Sequence, residues 1–247
     1  MIYNASEFVF QPDHEVARAR RVLIKPSAAF PLPYPVTTSR ETLAAIIRGI
    51  RRVGDADIVL LEGPAEEEHA RSVYRMLGYD FPRVLNLDVR DCTLVEVENP
   101  LPKPYALPNF WVPNVVLSCD YLISVTPYKI FRNQGWFCVA NLLGLLPQSK
   151  YGDSAGRDRG LLSRANINSV LADLYFTLPF ELGIIDARMK FIGDSDPTKG
   201  AIEEYGKIFV GEPFQVDCEA SQSTNIQTGY LRLIASAKAE LETQQKQ

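Results

Sequence analysis

The chain has 247 residues, of which 46% are hydrophobic and 23% are charged, and its formal net charge is -4. This composition is typical of a globular protein with a sizeable core. The acidic balance disfavours nucleic acid as a partner, because nucleic-acid binding requires a basic surface that neutralises phosphates. No apolar run approaches the roughly 20 residues of a membrane helix, and the N-terminus lacks a signal-peptide pattern. We therefore expect a soluble, cytoplasmic protein with no membrane partner.

The residues that most often bind transition metals are few and widely spaced. They are Cys92, Cys119, Cys138, Cys218, His14 and His69. The cysteine spacing matches neither zinc nor iron–sulfur sites, so we expect free thiols, no metal site and no iron–sulfur cluster of the chain's own. The identity of any other cofactor is left unknown. Both histidines are interpreted as solvated, which disfavours hydrolysis by a catalytic triad.

The first part of the sequence alternates between strand and helix patterns. Residues 22–25 (VLIK) form a short apolar run before a proline, which is typical of a buried parallel strand. Thr38 and Glu41 have the spacing of a capping box, and apolar residues recur at helical intervals from there to Gly54. Further strands are predicted at 57–61, 84–88 and 93–99, with a helix over 64–77. This order predicts an α/β fold with a mostly parallel or mixed sheet flanked by helices.

A proline-rich stretch interrupts this alternation. The segment 99–114 contains five prolines, so we interpret 100–113 as an extended crossover without regular structure. It would connect two closely packed sub-lobes, about 1–99 and 114–247, of a single domain over 1–247. Beyond it, the patterns predict strands at 121–125, 181–187 and 207–213, helices at 136–147, 166–178 and from 228 onward, and a mobile loop at 148–160. A buried strand stays open as an alternative for 136–147.

Charged residues lie at three of the predicted strand exits, namely Lys25, Lys129 and Asp186. Ligands of open α/β sheets bind at the carboxyl ends of strands, where helix N-termini offer free amides. We interpret Lys25 and a hydroxyl-rich helix start as converging on one anionic group. The hydroxyls belong to Thr37, Thr38 and Ser39. A solvated lysine and a simple helix cap explain the same residues equally well.

Three further polar residues follow or interrupt apolar segments. Asp186 ends an apolar strand with no nearby residue in the sequence to neutralise it, so it is a candidate partner for one of the lysines, a base or a metal ligand, or else an N-cap or turn residue. Asn141 and Asp217 adjoin apolar positions, where a buried polar group must find a hydrogen bond. We expect Lys129 and Asp186 to be the catalytic pair if the protein is an enzyme, and Asn141 and Asp217 to bind the ligand.

The order of these features resembles the protein family called domain of unknown function 362. The matching segments are KPS (25–27), YPVTTSRETL (34–43), CDYLISVTPYK (119–129), ANLLGLLP (140–147), IIDARMKFIGDSDPTKG (184–200) and FQVDCEA (214–220). The resemblance covers about residues 20 to 235. It implies that the family's motif positions are taken by Lys25, Lys129, Asn141, Gly144, Asp186 and Asp217.

The sequence departs from the family pattern at three motif positions. Ser27, Phe131 and Ala140 stand where the family typically has asparagine, histidine and lysine. Many members also carry a ferredoxin-like cysteine cluster, and this chain resembles a short form without it. If the family's histidine binds a metal or transfers a proton, Phe131 removes that activity here.

Two hypotheses of different classes follow. The first is a cytoplasmic protein that binds a small anionic metabolite or cofactor in an interlobe cleft, which an enzyme would combine with a lysine–carboxylate pair. The alternative is a non-catalytic accessory or assembly factor that kept the fold after losing the family's chemical residues. The sequence leaves open whether the protein is an enzyme and whether it forms a homo-oligomer.

Overall fold

The chain folds around a mixed sheet of eight strands, with a separate sheet of two strands beside it. The computed structural model describes residues 1–65, 68–153 and 159–244. Parts of the predicted helix at 64–77, of the loop at 148–160 and of the C-terminal helix lie outside these ranges. Within them, no helix combines the length and the apolarity needed to cross a membrane.

Five neighbouring strands of the large sheet are parallel, and three others pair antiparallel at its margins. The strands are β1 (Ile2–Asn4), β2 (Arg21–Pro26), β3 (Asp57–Glu62), β4 (Val84–Asp88), β5 (Leu94–Glu98), β6 (Asn109–Pro113), β7 (Tyr121–Phe131), β8 (Gln134–Gly135), β9 (Leu182–Gly193) and β10 (Gly200–Gly211). The order across the sheet is β1-β10-β9-β7-β2-β3-β4, with β8 paired to β7. Strands β9, β7, β2, β3 and β4 run parallel.

Helices cover both faces of the sheet. They are α1 (His14–Arg18), α2 (Arg40–Val53), α3 (Ala70–Met76), α4 (Asn114–Leu117), α5 (Cys138–Asn141), α6 (Gln148–Tyr151), α7 (Ile167–Thr177), α8 (Pro213–Ser223) and α9 (Gly229–Gln244). In β2, Val22 and Ile24 pack with Leu43 of α2, whereas Leu23 belongs to a second core with Leu174 of α7. A strand buried on both faces has the continuous apolar run seen in VLIK. The predicted α/β fold is confirmed.

Several boundaries differ from those that the sequence predicts. The expectation that 100–113 holds no regular structure is wrong, because β6 pairs with β5 in the small antiparallel sheet. Strands β7 and β9 extend well beyond 121–125 and 181–187, because they continue to pair with each other. Residues 136–147 form α5 and a short 3₁₀ helix rather than the alternative strand. Both predicted sub-lobes supply strands to the large sheet.

A buried carboxylate holds the proline-rich segment against the domain. Asp173 of α7 accepts hydrogen bonds from the backbone N–H groups of Tyr105, Ala106 and Leu107 at 2.9, 2.7 and 2.9 Å. The Asp173 side chain is fully buried. Backbone donors that precede β6 therefore find acceptors on a helix from a distant part of the chain, which satisfies them without water.

We expect Asp173→Asn to lower the free energy of unfolding by about 2 kcal/mol, because an amide offers one acceptor atom where the carboxylate offers two. Urea denaturation monitored by circular dichroism measures this change. Asp55→Asn is the matched control, since the Asp55 side chain is fully exposed, and its effect should stay within about 0.5 kcal/mol. Equal effects of the two substitutions would show that Asp173 does not hold the segment.

Candidate functional site

An open cavity of about 600 Å³ lies at the carboxyl ends of β2 and β3, beside β7 and α5. We call it the basic cavity. Its described lining residues are Lys25, Ser27, Ala29, Phe30, Glu62, Gly63, Thr126, Lys129, Phe131, Arg132, Trp136, Ala140, Asn141, Leu143, Gly144, Arg159, Leu162, Ile167, Ser195 and Pro197. Ser195 and Pro197 come from the turn between β9 and β10. The cavity therefore occupies the edge of the sheet where α/β proteins bind ligands.

A buried ion pair forms one wall of the basic cavity. Lys25 Nζ lies 2.7 Å from Glu62 Oε1, and each side chain is 1% exposed. The two residues end neighbouring parallel strands, which brings their side chains together. Glu62 also accepts the backbone N–H groups of Ala28 at 2.7 Å and Gly63 at 2.9 Å. Burial lowers the pKa of Lys25, and the Glu62 carboxylate opposes this shift.

The absence of a side chain at Gly144 leaves room for this pair. A Cβ added there would lie 2.7 Å from Lys25 Nζ and closer still to Glu62 Oε1. Gly144 follows α5 in the 3₁₀ helix Leu142–Leu145, which packs over the ends of β2 and β3. The glycine thus allows the helix backbone to approach two buried charges.

Asn141 joins Lys25 to the neighbouring strand. Its Oδ1 accepts a hydrogen bond from Lys25 Nζ at 3.2 Å, and its Nδ2 donates to the Lys25 carbonyl at 3.0 Å and to Ser124 Oγ at 3.1 Å. These three contacts explain a polar residue in the apolar segment VANLLGLL. Asn141 also lines the basic cavity, together with Lys25.

Asp217 lies behind the cavity wall and anchors α5. Its carboxylate accepts the backbone N–H groups of Cys138 and Val139, each at 2.9 Å, and the Tyr230 hydroxyl at 2.8 Å. Burial raises the pKa of Asp217 to about 7, although these donors favour the charged form. Asp217 is not among the described residues that line the cavity, so the structure gives it a positioning contact where the sequence suggested a ligand contact.

Lys129 enters the cavity with a backbone carbonyl as its hydrogen-bond partner. Its Nζ donates to the Val36 carbonyl at 2.8 Å and lies 5.3 Å from the centre of the Phe191 ring. Within the part of the chain that the structure describes, no carboxylate forms an ion pair with it. Burial lowers its pKa to about 8. The Lys129 ammonium therefore gives up its proton at a lower pH than the ammonium of an exposed lysine does.

The remaining lining residues add positive charge and aromatic surface. Arg159 Nε donates to the Leu146 carbonyl at 2.9 Å, and its Nη2 donates to Gly63 at 3.0 Å and Gly144 at 3.2 Å. The rings of Phe131 and Trp136 meet edge to face, with centroids 6.4 Å apart. Of the described lining residues, four are basic and one is acidic. The described part of the lining is therefore richer in basic than in acidic side chains, although the chain as a whole is acidic.

Asp186 belongs to a different cluster. Arg188 contacts it with two guanidinium nitrogens, at 3.0 Å to Oδ1 and 2.6 Å to Oδ2. The Tyr34 hydroxyl donates to Oδ1 at 3.0 Å, and Thr42 of α2 donates to Oδ2 at 2.6 Å. Asp186 thus turns towards α2, whereas Lys129 lines the basic cavity. The expected Lys129–Asp186 pair is replaced by an Arg188–Asp186 pair.

The predicted hydroxyl cluster also lies apart from Lys25. Ser39 is the N-cap of α2, in place of the expected Thr38, and accepts from the N–H groups of Glu41 and Thr42. Thr38 Oγ1 instead donates to the Val125 carbonyl at 2.8 Å, and Thr37 Oγ1 donates to Leu32 at 2.5 Å. Thr37, Thr38 and Ser39 line a second cleft, of about 670 Å³, near Arg188. Their convergence with Lys25 on one anion is therefore a wrong expectation.

Three charged residues of these clusters, Glu62, Arg159 and Arg188, are not among the site residues predicted from the sequence. Glu62 comes directly after the predicted strand 57–61. It is therefore a charged residue at a strand exit, which is the feature that made Lys25 a candidate. Arg188 lies two residues after Asp186 in β9, where the structure pairs them. Arg159 falls in the predicted loop at 148–160, and no sequence signal placed it against Gly63 and Gly144. Among the described residues, no group of three or more His, Cys, Asp and Glu side chains is arranged to hold a metal ion.

These features define an α/β protein with a basic cavity at the carboxyl edge of a mixed sheet. The sequence model of the family described as domain of unknown function (DUF362) matches residues 22–222. The chain therefore belongs to this family. No curated protein matches the sequence.

The fold of this chain is found in solved structures, one of which aligns over most of its length. That structure is the lactate racemase apoprotein from Thermoanaerobacterium thermosaccharolyticum, with 14% sequence identity and a TM-score of 0.55. The alignment covers 89% of this chain and 53% of the racemase chain, so this chain spans about half the length of that protein. At this identity the likeness is one of fold.

Breaking the Lys25–Glu62 pair on one side should be costly. We expect Glu62→Gln to lower the free energy of unfolding by about 3 to 5 kcal/mol, because it leaves a buried ammonium without its counter-charge. The double variant Lys25→Met/Glu62→Gln should recover much of this loss, since it removes the uncompensated charge. Urea denaturation of the two variants and the unsubstituted protein measures the difference. A loss below about 1 kcal/mol in Glu62→Gln would contradict a desolvated pair.

Replacing Lys129 by methionine should stabilise the free protein by about 1 to 3 kcal/mol at pH 7, because the folded state no longer buries an unpaired ammonium. The pKa of Lys129 is about 8 in the folded protein and 10.5 as its ordinary value. Between these values the unfolded chain binds more protons, so this lysine makes stability rise with pH. The cost of its charge is fully present below about pH 8.

The stability difference between Lys129→Met and the unsubstituted protein should therefore shrink as the pH rises from about 8 towards 10.5. Urea denaturation across this range measures it. A difference that stays constant with pH would show that the Lys129 ammonium is solvated.

Proposed function

We propose that the protein binds a small organic anion in the basic cavity. The observation that carries this proposal is Lys129, a largely buried cation that lines the cavity and has no acidic partner among the described residues. An unpaired buried charge is unfavourable in the free protein, and a bound anion would compensate it.

The charge of the lining supports an anion over a cation. Lys25 and Glu62 neutralise each other, and Lys129 and Arg132 add positive side chains to the same space. Arg132 would present a planar guanidinium suited to a carboxylate or phosphate group, and Lys129 would act as a point charge. Positive side chains that line a cavity with apolar walls also attract an anion from a distance.

The apolar part of the lining supports an organic ligand. Phe30, Phe131 and Trp136 contribute aromatic surface, and Leu143, Leu162 and Ile167 contribute aliphatic surface. A volume of about 600 Å³ is within the range of cavities that bind small molecules. Inorganic phosphate would leave most of this apolar surface uncovered.

The accessory-factor hypothesis predicts a different arrangement of the same residues. It expects the cavity to be filled by side chains such as Phe131 and Trp136 after loss of the family's chemical residues. In the structure these two rings, together with Ser27 and Ala140, line an open cavity. This observation favours ligand binding. Because Asp186 is engaged by Arg188, a catalytic role for a Lys129–Asp186 pair has no support from the geometry.

Binding can be tested with a panel of aliphatic and aromatic carboxylates and phosphates, each compared with its uncharged amide or alcohol. The free energy of unfolding should rise by about 2.7 kcal/mol at a ligand concentration a hundred times the Kd. Trp136 lines the cavity and Trp111 lies in β6, so the variant Trp111→Phe leaves a single fluorescent reporter at the site.

Lys129→Met should weaken binding of the anion by at least about tenfold, because it removes the unpaired cation. Lys207→Met is the matched control, since Lys207 donates to Asn4 at the far edge of the sheet and should leave binding unchanged. If no anion in the panel stabilises the protein, or if both variants lose the same affinity for the anion, anion binding in this cavity would be contradicted.

A further inference from the structure

The two lysines of the basic cavity use their hydrogen-bonding capacity differently. Lys25 Nζ has three acceptors, which are Glu62 Oε1 at 2.7 Å, the Pro26 carbonyl at 2.8 Å and Asn141 Oδ1 at 3.2 Å. An ammonium group has three N–H donors, so the Lys25 donors are all accounted for. For Lys129 the described residues supply one acceptor, the Val36 carbonyl at 2.8 Å. Lys129 therefore keeps bonding capacity that its surroundings do not use.

The surroundings of Lys129 make its ammonium easier to deprotonate than that of a solvated lysine. Its Nζ lies 5.3 Å from the centre of the Phe191 ring, and the cavity wall carries Phe131 and Trp136. Burial lowers its pKa to about 8, and no neighbouring carboxylate opposes that shift. Lysines desolvated in this way act as nucleophiles towards carbonyl groups, because the free amine has a lone pair that the ammonium lacks.

We propose that Lys129 forms an imine with an aldehyde or ketone that also carries an anionic group. This inference rests on the proposed function, since the anionic group would be held by another basic side chain that lines the cavity, Arg132. Lys25 is excluded as the nucleophile, because Glu62, the Pro26 carbonyl and Asn141 engage its three donors.

The reaction requires no further co-reactant. The Lys129 nitrogen attacks the carbonyl carbon, and a C–N bond forms while the C–O π bond breaks. The resulting carbinolamine loses its oxygen as water, which takes both protons from the amine nitrogen. The product is a C=N double bond between Lys129 and the substrate carbon, and no group is oxidised or reduced.

The test uses carboxybenzaldehyde as probe, with sodium cyanoborohydride to reduce an imine to a stable secondary amine. Intact mass spectrometry counts the adducts, and peptide mapping assigns them. We expect Lys129 to be modified on the order of tenfold or more faster than Lys190, which is paired with Glu203 at 3.0 Å. Benzaldehyde, which lacks the carboxylate, should modify Lys129 much more slowly. Lys129→Arg keeps the positive charge and removes the nucleophile, so the selective adduct should disappear.

Hydroxymethylbenzoate, which has the carboxylate but no carbonyl group, separates this inference from the proposed function. If it binds by Trp136 fluorescence and slows labelling of Lys129, while the aldehyde yields the Lys129 adduct, the imine inference is supported. Binding without a selective adduct at Lys129, or an adduct at Lys25 instead, would overturn the imine inference alone. If hydroxymethylbenzoate and the aldehyde both fail to bind or react, the inference falls together with anion binding. Peptide mapping of the unsubstituted protein decides these outcomes even if Lys129→Arg does not fold.

Discussion

The buried pair of Lys25 and Glu62 is the interaction on which the architecture of the cavity depends. It joins the ends of β2 and β3, and Glu62 also fixes the loop that leaves β2 through Ala28. A buried ion pair gives little net stability over apolar side chains, because desolvating two charges offsets their attraction. Its effect is to specify geometry, since each charge requires its partner. Gly144 can approach the pair only because it has no side chain, so the helix above the sheet is positioned by the same two charges.

Other buried carboxylates position the remaining parts of the site in the same manner. Asp217 accepts the first N–H groups of α5, the helix that carries Asn141. Asp173 accepts three successive N–H groups that precede β6. Each carboxylate satisfies backbone donors that would otherwise be buried without acceptors, which is a large penalty in a low-dielectric interior. Asp217, which looks like a ligand contact in the sequence, therefore acts one layer behind the cavity.

The sequence predicted the α/β fold and the position of Lys25 near the end of a strand, because both depend on local signals, an apolar run and the residue that follows it. It could not predict which side chains near the strand ends point towards the same side of the sheet. Lys129 and Asp186 leave neighbouring strands, but the β7–β9 register shifts between Pro127 and Tyr128, and Asp186 turns towards α2. Arg159 could not be found because its contacts with Gly63 and Gly144 cross 96 and 15 positions of the sequence. Long-range pairing and side-chain direction are properties of the packed sheet, and no local pattern encodes them.

The contrast between the two lysines links the stability of the fold to its function. Lys25 is buried with a full set of acceptors, as expected of a residue that the fold requires. Lys129 is buried with a single backbone acceptor among the described residues, so in the free protein it is a source of instability. Natural proteins tolerate such local conflicts mainly at functional sites, where a ligand supplies the missing partner. The same desolvation that makes Lys129 unfavourable as an ammonium makes it reactive as an amine, so one physical cause accounts for both the proposed anion binding and the proposed imine chemistry.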